Sequence, residues 1–190
     1  EIGMTNPGFT HLEQYRDVEA LNAARILAER GHSEAEILAI LQAKSRDNAR
    51  TPMQWDDSLH AGFTSGTPWI EVSANYPQLN AQRVISQDDS IYHYYRKLSQ
   101  LRKSSAAIVA GEYQIYFADD PQLYVYTRSL ANEVVLVVNN FYGENCTFIL
   151  PEALQSYFGV ECLLNNYPEL PDNWQQFTLR PYQSVVLLLQ

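Results

Sequence analysis

One short run of this chain concentrates residues able to do chemistry. Ser45-Arg46-Asp47-Asn48-Ala49-Arg50-Thr51-Pro52-Met53-Gln54-Trp55 sets two guanidinium groups, a carboxylate and an amide beside a tryptophan. Planar polar groups of this kind make paired hydrogen bonds to neighbouring hydroxyls, while an aromatic face covers the apolar side of a sugar ring. The same set can also form a salt-bridge knot that holds a loop, which is the commoner use of paired charges. Composition leaves both uses open. The other acidic residues suit structural work. Asp56-Asp57 and Asp119-Asp120 stand in turn-like surroundings, and Asp88-Asp89 reads as helix capping. His11, His32, His60 and His93 are scattered without metal-ligand spacing, so neither a metal site nor a cofactor is expected.

The elements that must position this run are helices before about residue 105 and strands after it. Val18, Leu21, Ala24 and Ala28 mark an amphipathic helix, and Gly31 sits where a helix is closed by glycine. Ser33-Glu34-Ala35-Glu36 is a capping box opening a second helix, whose apolar side carries Ile37, Ile40 and Leu41. A third helix, about 89–103, carries Ile91, Tyr94, Tyr95, Leu98 and Leu101, with Arg102 and Lys103 suited to its negative end. Between the second and third lies a long stretch, Ser45 to Asp88. Trp55, Phe63 and Trp69 are expected to anchor it, and a stretch of that length is where function concentrates. Beyond 105, short apolar runs bounded by turn residues predict seven strands: Tyr113–Phe117, Leu123–Thr127, Val134–Val138, Cys146–Leu150, Val160–Leu164, Phe177–Leu179 and Ser184–Leu189. Their even spacing predicts an antiparallel sandwich. Tyr92-His93-Tyr94-Tyr95 and the tyrosines from Tyr113 to Tyr126 have the spacing of core residues rather than of a sugar platform.

Composition bounds the function. With 190 residues, 46% hydrophobic, the chain can bury a good core. A net charge of -9 without a basic cluster argues against nucleic acid. The longest apolar runs fall far short of the roughly 20 residues needed to span a bilayer, so no membrane partner is expected. Cys146 and Cys162 lie in apolar strand contexts, which suits reduced thiols and a cytoplasmic setting. The opening Glu1-Ile2-Gly3-Met4 has no initiator methionine, basic segment or apolar signal core, and reads as the middle of a domain.

The run Ser45 to Trp55 strongly resembles the signature of the α-glucosidase branch of the α-amylase family, the group holding oligo-1,6-glucosidases, dextran glucosidases and trehalose-6-phosphate hydrolases. Glu1-Ile2-Gly3-Met4-Thr5-Asn6 looks like the motif that follows the family's eighth barrel strand. Tyr15-Arg16-Asp17-Val18-Glu19 with Leu21-Asn22 fits the helical insertion after it, and Ala61-Gly62-Phe63 and Pro68-Trp69 resemble the later part of the loop. The resemblance covers the whole chain and is most specific over residues 1–70.

What the resemblance implies is an α+β fragment: the end of a (β/α)8 barrel, with its last βα-loop and helices, followed by a C-terminal antiparallel β-sandwich. Residues 1–104 would be the barrel part and 105–190 the sandwich. The family's catalytic carboxylates lie on earlier strands, so no catalytic residue is expected here, and this chain alone is expected to be inactive. By resemblance, Arg50 binds the hydroxyls at the non-reducing end of the substrate, and Arg46 is the second substrate-binding candidate, bracing the loop behind it. Asp47 and Asn48 support them, and Glu1 supports the barrel rim. The implied partners are the missing N-terminal barrel segment and an α-glucoside disaccharide, either trehalose 6-phosphate or an isomaltose-like sugar. The opening from Glu1 to Asn22 favours the former. A different reading is a non-catalytic β-sandwich binding module with a helical extension. For residues 105–190 alone, a purely structural role fits the many apolar and few convergent polar residues. Helices built to cover barrel strands should leave apolar faces exposed in the isolated chain.

Overall fold

The computed structural model describes residues 2–169 and 171–190. The chain divides into two compact units, with the division between His93 and Tyr94, inside the long fourth helix.

Among its described residues the first unit holds helices and loops and no strand. Helix α1 (Val18–Glu29) starts where the Asp17 side chain accepts from the Glu19 N–H, and it ends before Gly31, whose φ of 87° is the left-handed turn that glycine adopts without strain. Helix α2 (Glu34–Lys44) has the full capping box. The Ser33 N–H donates to Glu36 Oε2 at 2.8 Å, and the Glu36 N–H donates to Ser33 Oγ at 3.4 Å. The Ser33 N–H and, after it, the Ser33 hydroxyl, which also donates to Glu36 Oε2, hold the Glu36 carboxyl below its ordinary range. α1 and α2 pack through Ala20, Ala24, Ile37 and Leu41 over Phe9, Tyr15 and Ile70.

The buried face of α1 differs from the stripe read in the sequence. Val18 and Leu21 are exposed, and the helix turns Ala20 and Ala24 inward. Apolar residues surround this helix, so tertiary packing, here the close approach that alanines permit, selects the face. Exposed apolar side chains also mark the other predicted helices, at Ile40 on α2 and at Ile91, Tyr95 and Leu98 on α4 (Ile91–Ser104).

Trp55, Phe63 and Trp69 do not anchor the long loop, because all three are exposed. Polar side chains order it instead. Buried Gln54 donates to Asn75 Oδ1 at 3.1 Å and to the Leu79 carbonyl at 2.5 Å, and Asn75 donates to Thr5 Oγ1 at 2.9 Å. Asn80 caps the short α3 (Ala81–Ile85) by accepting from the Arg83 N–H at 2.9 Å. Three consecutive residues, His60, Ala61 and Gly62, take positive φ values of 54°, 58° and 66°, and the Ala61 carbonyl accepts from the Trp55 N–H at 2.9 Å. A Cβ on Gly62 would stand 2.6 Å from the Asp56 carboxylate, so this turn requires glycine.

In the second unit, α5 (Ala106–Ala110) leads into seven strands: β1 (Glu112–Tyr116), β2 (Leu123–Leu130), β3 (Glu133–Asn140), β4 (Cys146–Ile149), β5 (Val160–Asn165), β6 (Gln176–Leu179) and β7 (Ser184–Leu189). The larger sheet runs β1-β2-β3-β7-β5 and the smaller pairs β4 with β6, every pairing being antiparallel. β3 reads as an unbroken apolar run because both its faces are covered. Val134, Leu136 and Val138 meet Phe148 and Phe177 of the small sheet, while Val135 and Val137 meet Ala107 of α5 on the other side. Glu133 fastens α5 by accepting from Ser105 Oγ and from the Ala107 N–H at 3.1 Å. Cys146 and Cys162 are free thiols, and burial pushes the pKa of each up.

Candidate functional site

Arg46, Asp47 and Asn48 stand in a single 3-10 turn, Arg46–Ala49, that follows directly on α2, and Arg50 closes it, its N–H donating to the Asp47 carbonyl. Ser45 starts the turn, its hydroxyl accepting from the Asp47 N–H at 3.2 Å. Asn48 finishes α2 from outside, its amide donating to the Gln42 carbonyl at 2.9 Å, one of the last carbonyls of the helix, and to that of Leu41 at 3.3 Å, which also accepts from the Ser45 N–H at 2.8 Å.

Asp47 is the hub. It is completely buried, and its Oδ2 accepts from the backbone N–H groups of Arg16 at 2.8 Å and Asp17 at 2.9 Å. One carboxylate thereby ties the turn to the start of α1. Its Oδ1, the Asn48 Oδ1 and the Tyr15 hydroxyl are buried without a hydrogen-bond partner among the described residues. Burial, and then the negative charge of Asp47, push the Tyr15 phenol above its ordinary range.

The two arginines converge on Asp17. Arg50 Nη1 lies 3.6 Å from Asp17 Oδ1 and Arg46 Nε 3.8 Å from Asp17 Oδ2, with Arg46 Nη1 also 3.7 Å from Glu19 Oε2. The Asp17 side chain is only 10% exposed, against 39% for Arg50 and 62% for Arg46. A salt-bridge knot is therefore present, and it holds two guanidinium groups at a surface where they can still reach a ligand. Beside it, Met4, Thr5, Asn6, Ser45, Asn48 and Thr51 line an open cavity of about 600 Å³. Glu1, the remaining supporting residue of the sequence reading, lies outside the described residues.

The acidic pairs do turn work. Asp56 Oδ1 accepts from the Ser58 N–H at 2.9 Å and from the Ser58 hydroxyl, which, ahead of the backbone bond, holds its carboxyl low. Asp120 Oδ1 accepts from the N–H groups of Gln122 and Leu123 at 2.8 and 2.9 Å. At the start of α4, Ser90 takes the capping position expected of Asp88-Asp89, its hydroxyl 3.5 Å from the His93 N–H. Among the described residues, no group of histidine, cysteine or carboxylate side chains has the arrangement of a metal site.

Sequence reasoning missed Asp17 as the counter-ion. It stands about thirty residues from its arginines, and nothing local signals the pairing. It also placed the tyrosines of the second unit in the core. Tyr94 and Tyr126 do pack, partly buried, against the cluster of Ala107, Val135 and Val186, while Tyr95, Tyr113 and Tyr124 are exposed, and all five line an open groove of about 960 Å³. Two of the groove's polar neighbours are engaged with each other: Ser184 Oγ donates to Asn139 Oδ1 at 2.7 Å, and Asn139 donates to the Tyr124 carbonyl at 3.0 Å, while Ser99 and Arg102 also line the groove beside its aromatic faces.

Residues 1–111 match the family model described as alpha amylase, catalytic domain, and residues 123–186 match the alpha-amylase SusG C-terminal domain. A trehalose-6-phosphate hydrolase of Bacillus subtilis (strain 168) is 47% identical over 190 residues, which is 100% of this chain and 34% of that protein. An oligo-1,6-glucosidase of Bacillus cereus is 44% identical over 191 residues, again 100% of this chain and 34% of that one. Among solved structures, trehalose-6-phosphate hydrolase of Bacillus licheniformis has a TM-score of 0.93 at 49% identity, covering 99% of this chain and 34% of that chain. The chain thus spans about a third of the length of the relatives it matches. No helix among the described residues is long and apolar enough to cross a membrane.

Proposed function

The chain belongs to the α-amylase family, and from that premise we propose that it forms the C-terminal part of a retaining exo-α-glucosidase that cleaves trehalose 6-phosphate to glucose and glucose 6-phosphate. In this reading the first 104 residues complete the C-terminal face of a (β/α)8 barrel, the face on which such barrels build their sites, and residues 105–190 are its β-sandwich. Arg50 hydrogen-bonds the hydroxyls at the non-reducing end of the sugar and closes the pocket. Arg46, Asp47 and Asn48 brace it.

The observation that carries the reading is the fixed arginine. Arg50 is held by a nearly buried carboxylate yet remains open on one side, as a group that must meet a ligand without reorganising should be. Retaining hydrolysis needs two carboxyl groups about 5–5.5 Å apart, one attacking the anomeric carbon and one protonating the leaving oxygen. Asp17, Asp47, Asp56 and Asp120 are each committed to local partners. That supports placing the catalytic pair in the part of the parent protein outside this chain. The two free thiols support a cytoplasmic setting.

The runner-up substrate is an isomaltose-like α-1,6-glucoside, favoured by the 44% identity to an oligo-1,6-glucosidase. The test is hydrolysis of p-nitrophenyl α-glucoside, trehalose 6-phosphate and isomaltose by the chain alone, by the chain mixed with the matching N-terminal barrel segment, and by the full-length parent. Activity in the mixture and the parent only, highest on trehalose 6-phosphate and lowered about 100-fold by Arg50→Ala, is the expected result. Preference for isomaltose replaces the substrate with the runner-up. Activity of the chain alone refutes the placement of the catalytic carboxylates.

A further inference from the structure

We infer that Asp17 is the positioning residue for Arg50, an assignment that rests on the reading of Arg50 as a substrate-binding group. Three observations combine. Among the described residues the Asp17 carboxylate is the acidic partner of Arg50, at 3.6 Å, and its side chain is 10% exposed against 39% for Arg50, so water reaches the pair from the arginine's side only. Its backbone is fixed independently, because the Asp17 N–H donates to the completely buried Asp47 carboxylate at 2.9 Å. The same carboxylate is 3.8 Å from Arg46, a second cation that it shares with Arg50.

The arrangement forms a chain of command. Asp47 fixes the backbone of Asp17, Asp17 fixes the direction of one guanidinium, and that guanidinium meets the sugar. An arginine has several rotatable bonds, and without a counter-ion it would sample many directions and lose that freedom at each binding event. Asp17 removes that cost before substrate arrives. It touches no substrate itself. Its effect passes wholly through Arg50, which is what separates this role from the merely structural one of capping α1.

The two roles can be separated by substitution. Asp17→Asn keeps a good helix cap and nearly the same shape but removes the charge, and Asp17→Ser is a second cap-preserving variant. In the full-length parent enzyme, kcat and KM are measured for the wild type, Asp17→Asn, Asp17→Ser, Arg50→Ala and the Asp17→Asn/Arg50→Ala double variant, with helix content followed by circular dichroism. Asp17→Asn is expected to lower kcat/KM about tenfold, and to add less than about twofold when Arg50 is already alanine. Losses that multiply in the double variant, or an unchanged kcat/KM in both cap-preserving variants, overturn the assignment. An Arg50→Ala enzyme with wild-type kcat/KM overturns the reading of Arg50 instead, and this inference with it.

Discussion

Removing the Asp47 carboxylate should unfasten the turn from α1. Asp47→Ala removes the completely buried acceptor of the Arg16 and Asp17 N–H groups, part-buried bonds of 2.8 and 2.9 Å in the native protein. Each stranded amide costs about 1–3 kcal/mol, so the loss is about 2–6 kcal/mol, about 4 at the middle of that range and a large share of the roughly 5–15 kcal/mol that holds a domain folded. Asp47→Asn keeps an oxygen where Oδ2 stood and loses only the strengthening that a charge gives these bonds, about 1–2 kcal/mol. A multidomain parent will not melt in two states, so the assay is amide hydrogen exchange at Arg16 and Asp17 rather than a single thermal midpoint. Exchange should accelerate about tenfold in the asparagine variant and at least about a hundredfold in the alanine variant. Wild-type protection in Asp47→Ala would refute the hub, and equal acceleration in the two variants would refute the idea that the acceptor oxygen, rather than the charge, carries most of the energy.

Two further outcomes follow from burial. The Tyr15 phenol is held above its ordinary value near 10, so as pH rises past that value the unfolded chain releases the proton while the folded one keeps it, and stability falls. Denaturation midpoints should therefore show Tyr15→Phe within about 1 kcal/mol of the wild type near pH 8, and pulling ahead of it near pH 11. Leu136→Ala should destabilise the second unit by about 3 kcal/mol in chemical denaturation, because Leu136 is completely buried between the sheets; Val18→Ala, at a position 71% exposed, should stay within about 0.5 kcal/mol.

How legible each part was depends on how far apart in sequence the cause lies. The Ser33–Glu36 box could be read because donor and acceptor sit three residues apart. The strands could be read because turn residues punctuate short apolar runs, and Val134 to Val138 reads as one of them, though only the fold shows that both its faces are covered. The face of α1 could not. Its apolar residues point all ways, and only the presence of α2 decides that Ala20 and Ala24 turn inward. The candidate site shows the same split. Its residues stand in one contiguous run and were named together, but their orientation depends on Tyr15, Arg16 and Asp17, a segment whose hydrogen bonds to the run no local pattern announces. Likewise, the positive φ of His60 and Ala61 has no signature beyond the neighbouring Gly62.

The central place of β3 also has a consequence for the order of events during synthesis. One of its edges pairs with β2, its close neighbour in the chain, but the other pairs with β7, and even the nearest partners, Asn139 and Ser184, are 45 residues apart. A ribosome adds about 5–20 residues each second, so for seconds the apolar run of β3 has one open edge and can pair with the same strand of a neighbouring nascent chain. Such long-range pairing is also slow to form once the chain is complete. Expression yield should accordingly depend on how quickly β7 arrives, and any product ending before Ser184 would carry a permanent adhesive edge.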